Sequence, residues 1–172
     1  MGLEQLINPV SRQKTALGDL AERTVASLFD DFIRNTDQFD TTSDGFFATL
    51  KLKVEIKCQD PWYNAGGLTI TDNEKSNYFK CMGVDLLYFV VYQSDPTHPR
   101  GKANWNKVII YKVIDRNKFE RSIRHCYKNN QRHVERVIVY EWDNLEVVKE
   151  VTDLALANEF RRLSNSQFLL PN

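Results

Sequence analysis

Cysteine is scarce in this sequence, and the three that occur, Cys58, Cys81 and Cys126, are widely spaced. An odd number at such spacing fits neither a disulfide framework nor a zinc site, so reduced thiols are expected. Long hydrophobic runs are also missing, since the longest, residues 86–92, is far shorter than the roughly 20 residues of a membrane-spanning helix. The N-terminus has no basic segment followed by an apolar one, as a secretory signal would have. These absences predict a cytoplasmic protein without a membrane segment.

A net charge is absent as well, because 23 Lys and Arg balance 23 Asp and Glu. Neutrality argues against a small histone-like nucleic-acid binder, which is usually basic throughout. The charges are nevertheless unevenly distributed: residues 1–50 carry eight acids against four bases, and residues 100–136 carry eleven bases against three acids. The sequence therefore leaves room for a protein with one strongly cationic face.

The 172 residues, of which 42% are hydrophobic, suffice for a single domain with a buried core. Apolar periodicity and breaker residues predict, in chain order, a helix over 14–34, a strand or strands over 45–58, a helix over 72–82, strands over 85–92 and 107–114, a helix over 116–128, a hairpin of strands 136–142 and 145–151, and a helix from about residue 152. This order predicts an α/β fold with a central mixed β-sheet flanked by helices.

The candidate chemistry lies in residues 53–59, Lys-Val-Glu-Ile-Lys-Cys-Gln. Alternate residues of a strand face the same side, so Glu55 and Lys57 should project together while Val54 and Ile56 pack on the opposite face. Asp44, eleven residues before Glu55, is well placed for an adjacent strand joined by a tight connection. Two convergent carboxylates suit Mg²⁺, and a lysine beside them suits phosphodiester hydrolysis. The alternative is a solvated charge pair on an amphipathic strand.

A third acid, Glu22, lies at the margin of the apolar stripe on the first predicted helix. From there its carboxylate can lean over the sheet toward Asp44, while Asp19 and Arg23 should point further out into solvent. The alternative for Glu22 is a pair with a surface cation. A second ambiguity concerns Asp44: if residues 43–45 form the hairpin turn itself, Asp40 on the preceding strand takes its place.

Taken together, Gly18-Asp19-Leu20-Ala21-Glu22, Ser43-Asp44-Gly45 and Glu55-Ile56-Lys57-Cys58 resemble the PD-(D/E)XK nuclease superfamily. The resemblance covers about residues 16–92 and implies a restriction-endonuclease-like αβββαβ core, here followed by a hairpin and a helix. It implies Mg²⁺-dependent cleavage of DNA, with Mn²⁺ able to substitute. By position, Asp44 and Glu55 would be metal ligands, Lys57 the catalytic lysine and Glu22 a further or water-mediated ligand. Ser43 stands where the name-giving proline would be.

Candidate DNA contacts lie mainly in the basic part of the chain. On the predicted helix 116–128, cations recur every three or four residues and form a stripe opposite the apolar one, as expected for phosphate-backbone binding. They are Lys118, Arg121, Arg124 and Lys128. Other candidates, near the motif and in the loop after residue 94, are Gln59, Trp62, Tyr63, Lys75, Arg100 and Lys102. An ordinary surface or core-covering role remains an open alternative for all of them.

The resulting hypothesis is a single nuclease domain over 1–172, with its core at about 14–93 and DNA-binding and accessory elements at about 94–172. Its function would be that of a sequence-specific, Mg²⁺-dependent DNA endonuclease of restriction or homing type, acting on double-stranded DNA as a homodimer. One alternative is a recombination or repair nuclease, either an exonuclease or a Holliday-junction resolvase. Another is a non-catalytic DNA-binding module on the same fold.

Overall fold

The structure is a computed structural model that describes residues 9–35, 43–60, 66–72, 83–95, 97, 101–128 and 130–169. The strands in this part of the chain are β1 Phe32–Arg34, β2 Gly45–Phe47, β3 Leu52–Gln59, β4 Gly67–Thr71, β5 Leu86–Val91, β6 Lys107–Val113, β7 Glu120–Lys128, β8 Gln131–Glu141 and β9 Leu145–Thr152. The α-helices in the described part of the chain are α1 Pro9–Leu28, α2 Gly101–Asn104 and α3 Leu154–Leu169.

Two sheets organise the fold. The larger has the strand order β1-β2-β3-β5-β6-β9, in which only β3 and β5 are parallel. The smaller is antiparallel, with the order β4-β8-β7. The predicted α/β class with a central mixed sheet is thus confirmed. Residues 73–82, which make up most of the helix predicted between β3 and β5, lie outside the described residues.

Strand β5 is the centre of the core because each of its faces is covered by a different layer. Tyr88 and Val90 pack with α1 and α3 on one face of the larger sheet. Leu87 and Phe89 pack against the smaller sheet on the other face. A strand with two covered faces is apolar at successive positions rather than at alternate ones, as residues 86–91 are. The fold therefore has three layers: helices, larger sheet, smaller sheet.

The first predicted helix ends earlier than expected, so its assignment over 14–34 is wrong at the C-terminal end. Helix α1 stops at Leu28, and Phe32–Arg34 form β1. Phe32 continues the four-residue apolar spacing, which explains the error, but its ring reaches the core from a strand and lies 5.6 Å from the ring of Phe47. The turn between α1 and β1 is held by Asp31, whose carboxylate accepts hydrogen bonds from the amide and the hydroxyl of Thr49.

The helix predicted over 116–128 is also wrong, because residues 120–128 form β7. This strand pairs with β8 over nine consecutive residues. Ile123, expected to face inward, is 62% exposed. Pairing with β8, the next segment of the chain, has overridden a weak helical spacing. The cationic stripe is therefore wrong as well, since Arg121 and Arg124 lie three positions apart on a strand and face opposite sides.

The predicted hairpin of 136–142 and 145–151 is wrong in its pairing, although both strands exist. Strand β8 belongs to the smaller sheet, whereas β9 pairs with β6 in the larger one. Asn144 fixes the crossing between them: its buried amide donates to the carbonyls of Asp115 and Lys118 and accepts from the amide of Asp115, at 2.7–2.8 Å. A buried amide with all these partners stabilises a corner instead of a two-residue turn.

The other elements predicted within the described residues are confirmed. Residues 85–92 and 107–114 contain β5 and β6, and α3 begins at Leu154. Strands from the predicted core, about 14–93, and from the rest of the chain enter both sheets. Strands β6 and β9 complete the larger sheet, and β4 pairs with β8 in the smaller one. None of the described helices combines the length and the apolar character needed to cross a membrane.

Candidate active site

The hairpin of β2 and β3 positions the first candidate ligand. The two strands are joined by a tight turn at residues 48–51, and Gly45 lies opposite Val54. Glycine is required at position 45, because a Cβ there would lie 2.4 Å from Cζ of Phe32 and 2.5 Å from the carbonyl oxygen of Ile33. Asp44 thus lies just before β2, and the predicted tight connection between its strand and that of Glu55 is confirmed.

Asp44 is held against β3 by its backbone and by its side chain. Its amide donates to the carbonyl of Val54 at 3.0 Å, and its carboxylate oxygen Oδ2 accepts from the amide of Ile56 at 2.7 Å. The carboxylate therefore takes the place of a strand carbonyl at the position between Glu55 and Lys57. Asp40, the alternative ligand, lies outside the described residues.

Glu22 reaches the same point from α1. Its side chain is 20% exposed and makes a hydrogen bond with Asp44. Burial, together with the negative charge of Asp44, raises the pKa of Glu22 from 4.5 to about 7, although Arg34 acts in the opposite direction. When two carboxyl groups lie in contact in this way, one of them retains a proton near neutral pH. The sequence-based expectation that Glu22 leans toward Asp44 is confirmed.

Arg34 is a member of this cluster that the sequence did not indicate. Its Nη2 lies 3.1 Å from Oε2 of Glu22 and 2.5 Å from Oδ1 of Asp19. Asp19, expected to point into solvent, is 44% exposed and also pairs with Arg23. Because the helix was predicted to run through residue 34, Arg34 was placed at a helix end and not on a strand that returns beside α1. Glu22 therefore makes both of the contacts considered from the sequence, one with the acid Asp44 and one with the cation Arg34.

Glu55 and Lys57 form the second pair. They project from the face of β3 that is turned toward the smaller sheet, while Val54 and Ile56 join the helical side of the core, as predicted. Nζ of Lys57 lies 3.6 Å from Oε2 of Glu55. The side chain of Glu55 is only 2% exposed and that of Lys57 is 25% exposed. A buried carboxylate of this kind does not match the interpretation as a solvated charge pair.

The described contacts thus form two pairs, Glu22 with Asp44 and Glu55 with Lys57. The backbone of β3 joins the two pairs. Among the described residues, no three His, Cys, Asp or Glu side chains are grouped closely enough to form a metal site by themselves. Mg²⁺ commonly binds one or two protein carboxylates and completes its shell with water and substrate phosphate. The oxygen donors of Glu22 and Asp44, in mutual contact, fit that requirement.

Gln59, a candidate DNA contact, has a structural role. It lies on the same face of β3 as Glu55, but both ends of its amide bind Thr69. Oε1 accepts from the Thr69 amide at 2.8 Å, and Nε2 donates to the Thr69 hydroxyl at 2.7 Å. Gln59 therefore connects the end of β3 to β4, the edge strand of the smaller sheet. This contact links the larger sheet to the smaller one.

The other candidate DNA contacts are dispersed in the structure. Lys118 lies 3.7 Å from Asp143, and Arg121 and Arg124 pair with Asp72 and Glu135 respectively. Trp62, Tyr63, Lys75 and Arg100 lie outside the described residues, as do the side chains of Lys102 and Lys128. The structure thus places the described candidates around the smaller sheet and not in one row.

Comparison with known proteins identifies no family. No family model matches the sequence, and no curated protein matches it. The resemblance to PD-(D/E)XK nucleases therefore rests on the motif residues, and the functional argument rests on the contacts that Asp44, Glu22, Glu55 and Lys57 make.

Proposed function

We propose that this protein is a Mg²⁺-dependent DNA endonuclease that hydrolyses phosphodiester bonds. The observation that carries the proposal is the position of Asp44. Its carboxylate is bonded to the amide of Ile56, within the Glu55-Ile56-Lys57 motif, and is in contact with Glu22. Two carboxyl groups in contact, beside a strand that carries a buried glutamate, are unfavourable for stability, and strongly raised pKa values such as that of Glu22 are typical of functional sites.

Each residue of the site has a role that its surroundings support. Bound Mg²⁺ would neutralise charge on the phosphoryl oxygens and make a bound water more acidic. Asp44, fixed by a backbone amide, and Glu22, in contact with it, would hold the metal, and Glu55, on the face of β3 that is turned toward the smaller sheet, is a further candidate ligand. Lys57 is partly exposed and close to Glu55, so its ammonium group can contact a substrate phosphate or orient the attacking water.

DNA is the proposed substrate because the basic residues of the chain are concentrated between positions 100 and 136. Phosphate binding by such residues supplies most of the affinity of proteins for DNA. Sequence-specific cutting of the restriction or homing type, a homodimer with one site for each strand, and a cytoplasmic location complete the proposal.

A cleavage assay tests the proposal. Supercoiled, linear, branched and single-stranded DNA are incubated with the protein in Mg²⁺, Mn²⁺ or EDTA. We expect nicking and linearisation of the plasmid in either metal and none in EDTA. Lys57→Ala and Asp44→Asn should reduce the rate at least about 100-fold. Lys53→Ala is the matched control, since it removes an exposed lysine from the same strand and should retain the wild-type rate.

The products separate the alternatives. Discrete fragments indicate a site-specific endonuclease, degradation from the ends an exonuclease, and cleavage confined to branched DNA a resolvase. Binding of DNA without cleavage of any substrate in either metal would identify a non-catalytic DNA-binding module and refute the proposed nuclease activity. Cleavage that survives both Lys57→Ala and Asp44→Asn would refute the site assignment.

A further inference from the structure

The hairpin of β7 and β8 extends beyond the smaller sheet as a two-stranded ribbon. Strand β4 pairs with β8 only from Val137 to Glu141. Beyond that point, residues 123–128 and 131–136 pair with each other in six consecutive positions. At about 3.4 Å per residue, the ribbon is about 20 Å long. Asn130, at the turn, has φ 61°, a conformation that asparagine tolerates better than most residues.

The two faces of this ribbon differ in charge and in exposure. On one face, Arg124 pairs with Glu135 and both are half-buried. The other, here called the open face, consists of described side chains that are all exposed: Ile123, His125, Arg132, Val134 and Arg136, with Arg121 at its base. No acid occurs among them. Arg121 pairs with Asp72 where the ribbon leaves the smaller sheet, whereas Arg136 and Arg132 lie nearer the turn.

Exposed aliphatic side chains between the arginines are the second unusual feature of the open face. Ile123 is 62% exposed and Val134 is 53% exposed, and the cross-strand register places them diagonally on the same side. A purely solvated strand face would carry polar residues at these positions. Cations that surround a small apolar centre provide contacts both to phosphates and to the apolar edges of bases, such as the thymine methyl group.

We propose that the open face of this ribbon binds duplex DNA by entering its major groove. The major groove, about 12 Å wide, admits a two-stranded β-ribbon, with arginines at the phosphates and small aliphatic side chains at the bases. The major groove of duplex RNA is too narrow for such an element. A second copy of the chain is a poor occupant, because a symmetric contact through this face would bring like charges together. The inference rests on the proposed function for its substrate class, and it assigns the surface that holds that substrate.

Binding measured without cleavage tests this surface. Fluorescence anisotropy follows a labelled DNA duplex of about 24 base pairs in EDTA, at several KCl concentrations. Arg132→Gln combined with Arg136→Gln should weaken binding at least about tenfold in 0.1 M KCl and reduce the slope of log K against log salt by about 2. The matched control, Lys149→Gln with Arg162→Gln, removes two exposed cations from β9 and α3 and should bind like the wild type.

A second variant separates the apolar contribution. Ile123→Ser with Val134→Ser should weaken binding without changing the salt slope. Circular dichroism confirms folding of every variant, and all substitutions are at exposed positions. Equal DNA binding by wild type and the arginine variant, equal binding of duplex RNA, or self-association lost in the arginine variant without DNA binding would each overturn the ribbon assignment. Binding with the expected variant pattern but no cleavage in Mg²⁺ would refute the nuclease and leave the ribbon assignment intact.

Discussion

Replacing Glu22 with glutamine should remove a specific pH dependence of stability. Glutamine has nearly the same shape and retains an oxygen that can accept from Arg34, but it does not titrate. In the wild type, the folded state holds a proton on Glu22 up to about pH 7, whereas an ordinary carboxyl group loses it near 4.5. The charged groups facing Glu22 are Asp44 and Arg34, the latter also bound to Asp19.

The sign follows from proton binding. Between pH 4.5 and about 7 the folded protein binds more protons at this site than the unfolded chain does, so the free energy of unfolding falls as pH rises. Each pH unit in that interval amounts to about 1.4 kcal/mol. The wild type should therefore lose at most about 3 kcal/mol from this group, and less in practice because a fifth of its side chain is exposed. The stabilisation is complete below pH 4.5 and is lost through pH 7.

Urea unfolding in EDTA between pH 5 and 8 measures the effect. The difference in unfolding free energy between Glu22→Gln and wild type should shift in favour of the variant by about 1–3 kcal/mol over this range. Glu159→Gln is the control: the hydrogen bond from Arg162 lowers the pKa of Glu159, so the shift should have the opposite sign or be absent. A difference for Glu22→Gln that stays constant from pH 5 to 8 would refute the raised pKa of Glu22, and with it the burial of this carboxyl group beside Asp44.

Three further predictions concern the corner, the hairpin and the metal. Asn144→Ala removes three hydrogen bonds between a buried amide and the backbone of Asp115 and Lys118 and should lower the free energy of unfolding by about 2–3 kcal/mol in urea. Gly45→Ala forces a Cβ against Phe32 and should cost about 2–3 kcal/mol, whereas an alanine at Gly18, which has open space, should cost nothing comparable. Mg²⁺ at ten times its dissociation constant should stabilise the wild type by about 1.4 kcal/mol in thermal unfolding, and Asp44→Asn should lose this gain.

The motif strand was predictable because its pattern is local. The alternation around Glu55 and Lys57 depends only on the period of a strand, and the structure preserves it. Asp44 was predictable for a similar reason, since a tight turn limits where a strand eleven residues away can lie. The contact of Glu22 with Asp44 followed from its position at the edge of an apolar stripe.

The errors arose where turns and the choice of partner strand decide the structure. Phe119 and Ile123 have a spacing that helix and strand both allow, and pairing with β8, the next segment of the chain, selected the strand. Arg34 escaped notice because its place beside Glu22 depends on the chain reversing at Asp31. The pairing of β9 was missed because one buried amide, that of Asn144, turns the chain from one sheet into the other.

The interleaving of the two sheets has a consequence for synthesis on the ribosome. Strand β4 emerges early but has no described partner strand until β8 has been made. The layer that covers the Glu55 face of β3 is therefore incomplete until most of the chain has left the exit tunnel. Pairings between such distant segments make folding slow, and the uncovered faces of Leu87 and Phe89 would meanwhile be available to chaperones. The candidate site thus acquires its buried carboxylate only late in folding, when nearly the whole chain has been synthesised.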